Sequence, residues 1–443
     1  MRSLVISSNS SGGGKTTITL GIMKALINRG FKVQGYKVGP DYIDPAFHSY
    51  ITGKASRNLD FFLMGEEGIK AAFSRGTGDF GVIEGVMGFY DGKGIETRGS
   101  TAHVSRILKT PVILVISPKA QSATLCAEIK GIMKYEESDI RGIILNNISE
   151  NYFKLLKYAI EKNCNVQVLG YVPKDERLKL GSRHLGLIQS SEVKDLDKRI
   201  ELCSELIEEY VDMERLIELF KETPRFKDHF HLKNLGIKIA VARDKAFSFY
   251  YKENIELLEE LGEVIYFSPL YDERIPEGID LLYIGGGYPE IFIKELSENK
   301  SMLISIRNAL ESGVKCYAEC GGLMYLTDNI EGHEAVGFIS GEVEMTKSLQ
   351  NFGYAQIEVN KDDTILPKGF KINCHEFHKS KTSSIEEKIY KITKTMYDET
   401  IKEWECGYHK KNVLATYAHI HFFNDIHFLK YFTEKGYCEN NFK

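Results

Sequence analysis

No apolar run in this chain of 443 residues exceeds the length of a strand: VILVI at 112–116 and GIILNNI at 142–148 are typical. That is far short of the roughly 20 residues needed to cross a bilayer, so no membrane partner is expected. Strong charge of either sign is also missing. The 57 Lys and Arg residues nearly balance 62 Asp and Glu, and the Lys-rich stretches are interleaved with Glu. No basic arm or domain of the kind that tracks nucleic acid is present, and no nucleic-acid partner is expected. Eight cysteines are scattered, and only Cys316 and Cys320 lie close together. This pattern offers neither a zinc nor a disulfide framework and suits a reducing cytoplasm. Before the first glycine-rich loop there is room for only a short strand, so no signal peptide is expected. Internal repeats and low-complexity tracts are absent. With 43% hydrophobic and 27% charged residues the chain is globular, and its length calls for two domains.

From Ser3 to about Val172, strand-like runs alternate with amphipathic patterns: SLVIS, TTITLGIMKALINRG, KVQGYKVG, FGVIEGVMG, PVILVIS, GIILNNI and VQVLGYVP. Continuous apolar strands separated by helices predict a parallel α/β sheet covered on both faces. Charged helical text occupies 191–235, closing on a connector around Pro224. Alternation restarts with GIKIAVARD, NIELLEELGEVIYFSPL, IDLLYIGGGYPE and GVKCYAECGGLMYL. The expected organisation is a first α/β domain over 1–190, a helical extension and linker over 191–235, and a second α/β domain over 236–443.

The opening stretch NSSGGGKTT sits between a strand and a helix. It ends as a phosphate-binding loop does, with Gly14, Lys15 and Thr16, while Asn9 stands where the first glycine belongs and is expected to tolerate a left-handed turn. Gly12, Gly13 and Gly14 let backbone N–H groups approach phosphate, Lys15 reaches the outer oxygens, Thr16 can ligate Mg²⁺, and Thr17 continues the helix. The bland alternative is a flexible Gly/Ser turn. A metal-holding carboxylate is offered by Glu84, closing FGVIE, and by Asp41, with Asp44 three residues on; for the two aspartates an ordinary turn is the alternative. Lys37 is either a phosphate or carboxylate contact or a solvated lysine. Asn146 is either a base-edge contact or a turn former.

In the second half, GVKCYAECGGLMYL runs strand, Glu319-Cys320-Gly321-Gly322, helix. This is the pattern of a nucleophile elbow, and a helix start lowers a thiol's pKa. The histidine base is expected from LATYAHIHFF, where His419 and His421 alternate along a predicted strand. The turn after LLYI supplies Gly286 and Gly287 as oxyanion donors. Cys316 and Cys374 read as small buried hydrophobes.

These stretches together resemble the cobyrinic acid a,c-diamide synthases, glutamine-hydrolysing amidases of cobalamin biosynthesis. The matching blocks are SSGGGKTT, YKVGPDYIDP, SRNLDFFLMG, VIEGVMGFYDG, SRHLGL, ARDKAFSFYY, LYIGGGYPE, AECGGLMYL, CHEFHKS and HIHFF. The resemblance implies a dethiobiotin-synthetase-like P-loop domain followed by a class I glutamine amidotransferase-like domain. It implies Cys320 as nucleophile, assisted by His419, with Gly286, Gly287 and Gly321 about the glutamine. ATP would lie on Gly12, Gly13, Gly14, Lys15, Thr16, Thr17 and Asn146; substrate or phosphate on Lys37, Asp41, Tyr42, Ile43 and Asp44; and Mg²⁺ on Thr16, Asp41 and Glu84. The partners implied are ATP, glutamine and a corrinoid tetrapyrrole, with a homodimer left open. Class I glutaminases carry His-x-Glu, whereas here the third position is His421, so a Cys/His dyad is expected. Glu376 has no assigned role. A nickel-sirohydrochlorin a,c-diamide synthase would share the same chemistry, and a P-loop switch ATPase is the remote alternative.

Overall fold

The buried strands of the first half form one parallel sheet in the computed structural model, which describes residues 1–178, 182–183, 186–187, 195–361 and 365–433. Seven strands, β1 (Arg2–Ser8), β2 (Val33–Val38), β3 (Arg57–Leu59), β4 (Phe80–Glu84), β5 (Val112–Ile116), β6 (Ile140–Asn146) and β7 (Gln167–Val172), lie in the order β3-β2-β4-β1-β5-β6-β7. A short strand, Lys221–Glu222, adds to β1 antiparallel. All of β5 is buried, as its unbroken VILVI run requires when helices cover both faces. After β1 the chain enters helix α1 (Lys15–Asn28), and after β2 helix α2 (Ile43–Thr52). The carboxyl ends of β1, β2 and β4 share one edge, and their register sets Glu84 beside both Ile6 and Lys37.

The chain divides into two compact units, one of Met1–Phe61 with Gly65–His229 and one of Phe62–Met64 with Phe230–Lys443. The expected boundary at 190 lies outside the described residues, as does part of the SRHLGL block. Within the 191–235 segment, helices Leu196–Tyr210 and Met213–Leu219 add Ile207, Met213 and Leu216 to the core of the first unit.

The second unit has a mixed sheet. Gly262–Phe267, Ile237–Ala242, Leu281–Ile284, Lys315–Glu319 and Val413–Thr416 are parallel in that order. The sheet then continues antiparallel through Ile401–Lys410, Glu387–Thr395 and the long strand Ile339–Val359, which also pairs with Lys371–Ser384. The sequence reading did not anticipate this antiparallel half. Lys371–Ser384 largely alternates buried and less buried residues, as sheets with a solvated face do, whereas the middle of Ile339–Val359 buries none.

Gly21 in α1 marks how closely the helix Leu196–Tyr210 is seated. A Cβ there would stand 2.7 Å from Ile207 Cγ1 and 2.9 Å from the Cys203 carbonyl oxygen. Helix propensity alone makes Gly21→Ala stabilising by about 0.5–1 kcal/mol, but a backbone carbonyl cannot step aside. Gly21→Ala is therefore expected to lower unfolding free energy by about 1–3 kcal/mol, as overpacked cores do. Urea denaturation measures it, and a stabilised variant would contradict the seating.

Candidate functional site

The loop after β1 holds its lysine as a phosphate loop does. Gly14 has φ 91°, a left-handed conformation, and a Cβ there would meet the Asn146 amide nitrogen at 2.0 Å. Gly12 and Gly13 precede it, and Thr17 follows on α1. Asn9 does not take the left-handed turn expected of it; its carboxamide donates to Glu128 Oε1 at 2.6 Å. Asn146 donates to the Gly13 carbonyl at 3.1 Å and Ser117 at 3.2 Å, so it buttresses the loop from the end of β6. Lys15 is almost fully buried and donates to the carbonyls of Ser10 (3.0 Å) and Met87 (2.5 Å). Burial and the nearby Lys37 bring its pKa down to about 8.

Glu84 is the hub of this edge. It is fully buried, and a carboxylate there is sustained only by partners. Its Oε1 accepts from the Thr16 hydroxyl at 2.6 Å and from Lys37 Nζ at 2.9 Å, and its Oε2 lies 2.8 Å from His48 Nε2. Burial pushes its pKa up, but Lys37, His48 and Thr16 outweigh that and hold it well below the usual carboxylate range. Lys37 also bonds Asp44 at 2.5 Å and stands 4.0 Å from Asp41. Asp44 is the loser of this arrangement: burial and the Glu84 charge outweigh Lys37 and push its pKa up. Asp41 accepts from the N–H groups of Ile43 and Asp44 at the start of α2, with Tyr42 between. Lys37, Asp41, Asp44, Thr16 and Glu84 are thus brought together. His48, braced by Ser56 at 3.1 Å, is a member that sequence reading missed.

In the second unit Cys320 follows the strand Lys315–Glu319 in a strained turn, φ 49° and ψ −101°. Such backbone costs about 1–3 kcal/mol and needs surroundings that enforce it. Gly321 and Gly322 permit the close packing: a Cβ on Gly321 would stand 3.1 Å from the Gly287 nitrogen, and one on Gly322 2.1 Å from the Ile284 carbonyl oxygen. Gly286–Gly287, expected as a turn, form instead a short strand paired antiparallel with Phe247–Phe249, and this pair lies directly against Cys320. Gly286 in turn leaves room for His419, whose Cε1 would be 2.5 Å from a Cβ there. The expected helix after Cys320 has six residues, Gly321–Leu326.

His419 reaches Cys320 from the strand on the other side, but not as part of it. The predicted strand ends at Thr416, and His419 lies beyond, paired to His375 by backbone hydrogen bonds of 2.9 and 3.1 Å. Burial disfavours the imidazolium, yet Cys320 and Glu319 outweigh it and raise the pKa to about 10. His375 stays neutral: burial, His419 and Lys394 lower it to about 3. His421 does not share the partner of His419; its Nε2 stands 3.5 Å from Glu253, both fully buried. Glu376 gains a structural place, accepting from Trp404 Nε1 at 3.0 Å and lying 3.1 Å from His378, which stacks on Tyr417. Cys316 and Cys374 are fully buried, and burial raises both thiols, as expected of packing residues.

The first unit matches the CobQ/CobB/MinD/ParA nucleotide binding domain over residues 4–188, and the second the CobB/CobQ-like glutamine amidotransferase domain over residues 238–426. The chain is 66% identical over 439 residues to the cobyrinate a,c-diamide synthase of Clostridium tetani, covering 98% of this chain and 100% of the relative. It is 61% identical over 434 residues to that of Clostridium acetobutylicum, covering 97% and 99%. With that of Caldanaerobacter subterraneus it shares 46% over 434 residues, covering 95% of each. With both units matched in order and the relatives aligned from end to end, the chain belongs to the cobyrinate a,c-diamide synthase family.

Proposed function

We propose that the protein amidates the a and c carboxylates of cobyrinate, with ammonia taken from glutamine and ATP as activator. The observation that carries the reading is the buried Cys320–His419 pair at the carboxyl edge of the second sheet. The relatives' shared name supports the macrocycle. In the second unit, the Cys320 thiolate attacks the glutamine carboxamide, forming the S–C bond. Backbone N–H groups at Gly286, Gly287 and Gly321 are suited to receive the oxyanion. His419 takes the thiol proton and returns it to the departing nitrogen as the C–N bond breaks. Water then hydrolyses the thioester, releasing glutamate.

A carboxylate has no leaving group that ammonia can displace, so it requires activation. In the first unit, Lys15 and the backbone of Gly12, Gly13 and Gly14 would hold the nucleotide phosphates, with Thr17 and Asn146 at the edges of that cradle. Lys37 would offset charge on the phosphoryl group in transit from ATP to the substrate carboxylate, leaving ADP and an acyl phosphate from which ammonia displaces inorganic phosphate. Asp41, Tyr42, Ile43 and Asp44 are the proposed substrate side of this edge.

The Thr16 hydroxyl bonds Glu84, and Glu84 and Asp41 both stand within 4.0 Å of Lys37; the oxygens of Thr16, Glu84 and Asp41 are a hard set that suits Mg²⁺. Among the described residues no group of three His, Cys, Asp or Glu side chains forms a metal site, so phosphate and water would complete the ligand set. Bound there, Mg²⁺ would neutralise phosphate charge. Among the described residues no helix is long and apolar enough to cross a membrane. The described cysteines are free, which supports a reducing cytoplasm as the working compartment.

Cys320→Ala is expected to abolish amidation with glutamine and to keep it with ammonium salt at raised pH, whereas Lys15→Ala is expected to lose both. Product assays with each nitrogen source check this, and ammonia-dependent turnover surviving in Lys15→Ala would refute the activating role of the loop. The substrate is tested by supplying glutamine, Mg²⁺ and ATP with either cobyrinate or nickel-sirohydrochlorin and counting added amides by mass spectrometry. Two amides on cobyrinate are expected; efficient diamidation of the nickel macrocycle alone would overturn the assignment.

A further inference from the structure

Glu319, the residue before the nucleophile, is buried to 1% exposure at the end of its strand. Its Oε1 accepts from the Tyr317 hydroxyl at 2.8 Å and from the Ile420 N–H at 3.0 Å. Its Oε2 accepts from the Tyr283 hydroxyl at 2.9 Å and stands 3.7 Å from His419 Nδ1. Three neutral donors satisfy lone pairs but supply no opposite charge, and the cation within reach is the His419 imidazolium. Two of these contacts, to Ile420 N–H and to His419 itself, fall on adjacent residues of one segment. The carboxylate is therefore pinned to the stretch of backbone that carries the base.

The position two residues after the base, where His-x-Glu would put an acid, cannot do this work. It is His421, turned toward Glu253 at 3.5 Å, with its ring 4.7 Å from that of Tyr251. Among the described residues facing His419 are Cys320 and Glu319 from the central strand and its turn, Gly286 from one side, and His375 from the other.

We propose that Glu319 is the positioning residue of the glutaminase site: its carboxylate keeps the His419 ring proton on Nδ1, leaves Nε2 to take the Cys320 proton, and stabilises the imidazolium so formed. The separation is 3.7 Å, and contacts of this kind tighten in the substrate complex. A carboxylate behind a catalytic histidine does the same in serine hydrolases; here it comes from the residue adjoining the nucleophile. Neutral His375, whose pKa burial lowers to about 3, adds no competing charge. The proton count is closed: it leaves Sγ, rests on His419, and departs on ammonia, while Glu319 takes no part in the transfer.

This inference rests on reading the second unit as a glutamine-hydrolysing site, and the test separates the two. Glu319→Gln keeps an acceptor for Tyr317 and Ile420 but removes the charge. Glutamine hydrolysis is expected to lose kcat on the order of 10²-fold or more, with KM for glutamine unchanged. Without the negative charge the imidazolium loses its proton more easily, so the alkaline limb of the kcat/KM profile moves to lower pH. Amidation with ammonium salt is expected to persist, and Glu319→Asp to restore part of the loss and the profile. Unchanged kcat, or a loss with no shift of the alkaline limb, overturns the proposal. Should Glu319→Gln lose ammonia-dependent amidation as well, the wild-type protein decides. A low-field ring N–H proton resonance, lost in His419→Asn, is expected, and its absence overturns the role. A wild-type protein that hydrolyses no glutamine overturns both readings; an active one indifferent to Glu319→Gln overturns this one alone.

Discussion

A buried glutamate ending a parallel strand is the constraint on which both sites depend. Glu84 closes β4 in the first unit, and Glu319 closes the strand Lys315–Glu319 in the second. Each carboxylate is withdrawn from water, where an unpaired charge costs several kcal/mol. The surrounding sequence has to answer with donors. Around Glu84 the answer is a lysine, a histidine and a threonine hydroxyl; around Glu319 it is two tyrosines, a backbone N–H and, at 3.7 Å, His419.

The parallel sheet explains why those partners arrive at the right place. In each unit the glutamate strand lies between parallel neighbours whose carboxyl ends share its edge, where open α/β sheets take their ligands. Beside β4 the neighbours are β1, leading to the phosphate loop, and β2, carrying Lys37. Beside Lys315–Glu319 they are Leu281–Ile284, leading to the glycine pair Gly286–Gly287, and Val413–Thr416, leading to His419. Replacing such buried ionic sets by well-packed apolar residues often leaves stability unharmed. Their retention at these edges therefore argues for chemistry over stability.

The parallel strands were legible because each is buried on both faces and reads as an unbroken apolar run, as in VILVI and FGVIE. The phosphate loop and the elbow were legible because glycines, a lysine and a cysteine fall exactly where strand gives way to helix. The antiparallel half was not. Ile339–Val359 buries no residue from Glu344 to Tyr354, pairs over a bulged register and resembles loop text. The placement of His419 along a continuing strand was not legible, since backbone pairing to His375 holds it beyond the strand's end at Thr416. His48 carries no sequence signal, because its partner Glu84 is 36 residues away. Glu319 did carry one, the same strand-ending acid that drew attention to Glu84, but the neighbouring cysteine absorbed it.

The central claim is that nitrogen freed at Cys320 is the nitrogen joined to the activated carboxylate. Glutamine labelled with ¹⁵N at the amide, supplied with excess unlabelled ammonium at neutral pH, tests it most directly. The account predicts that both new amides of the macrocycle carry the label. Amides labelled only in proportion to the bulk ammonium pool would contradict it.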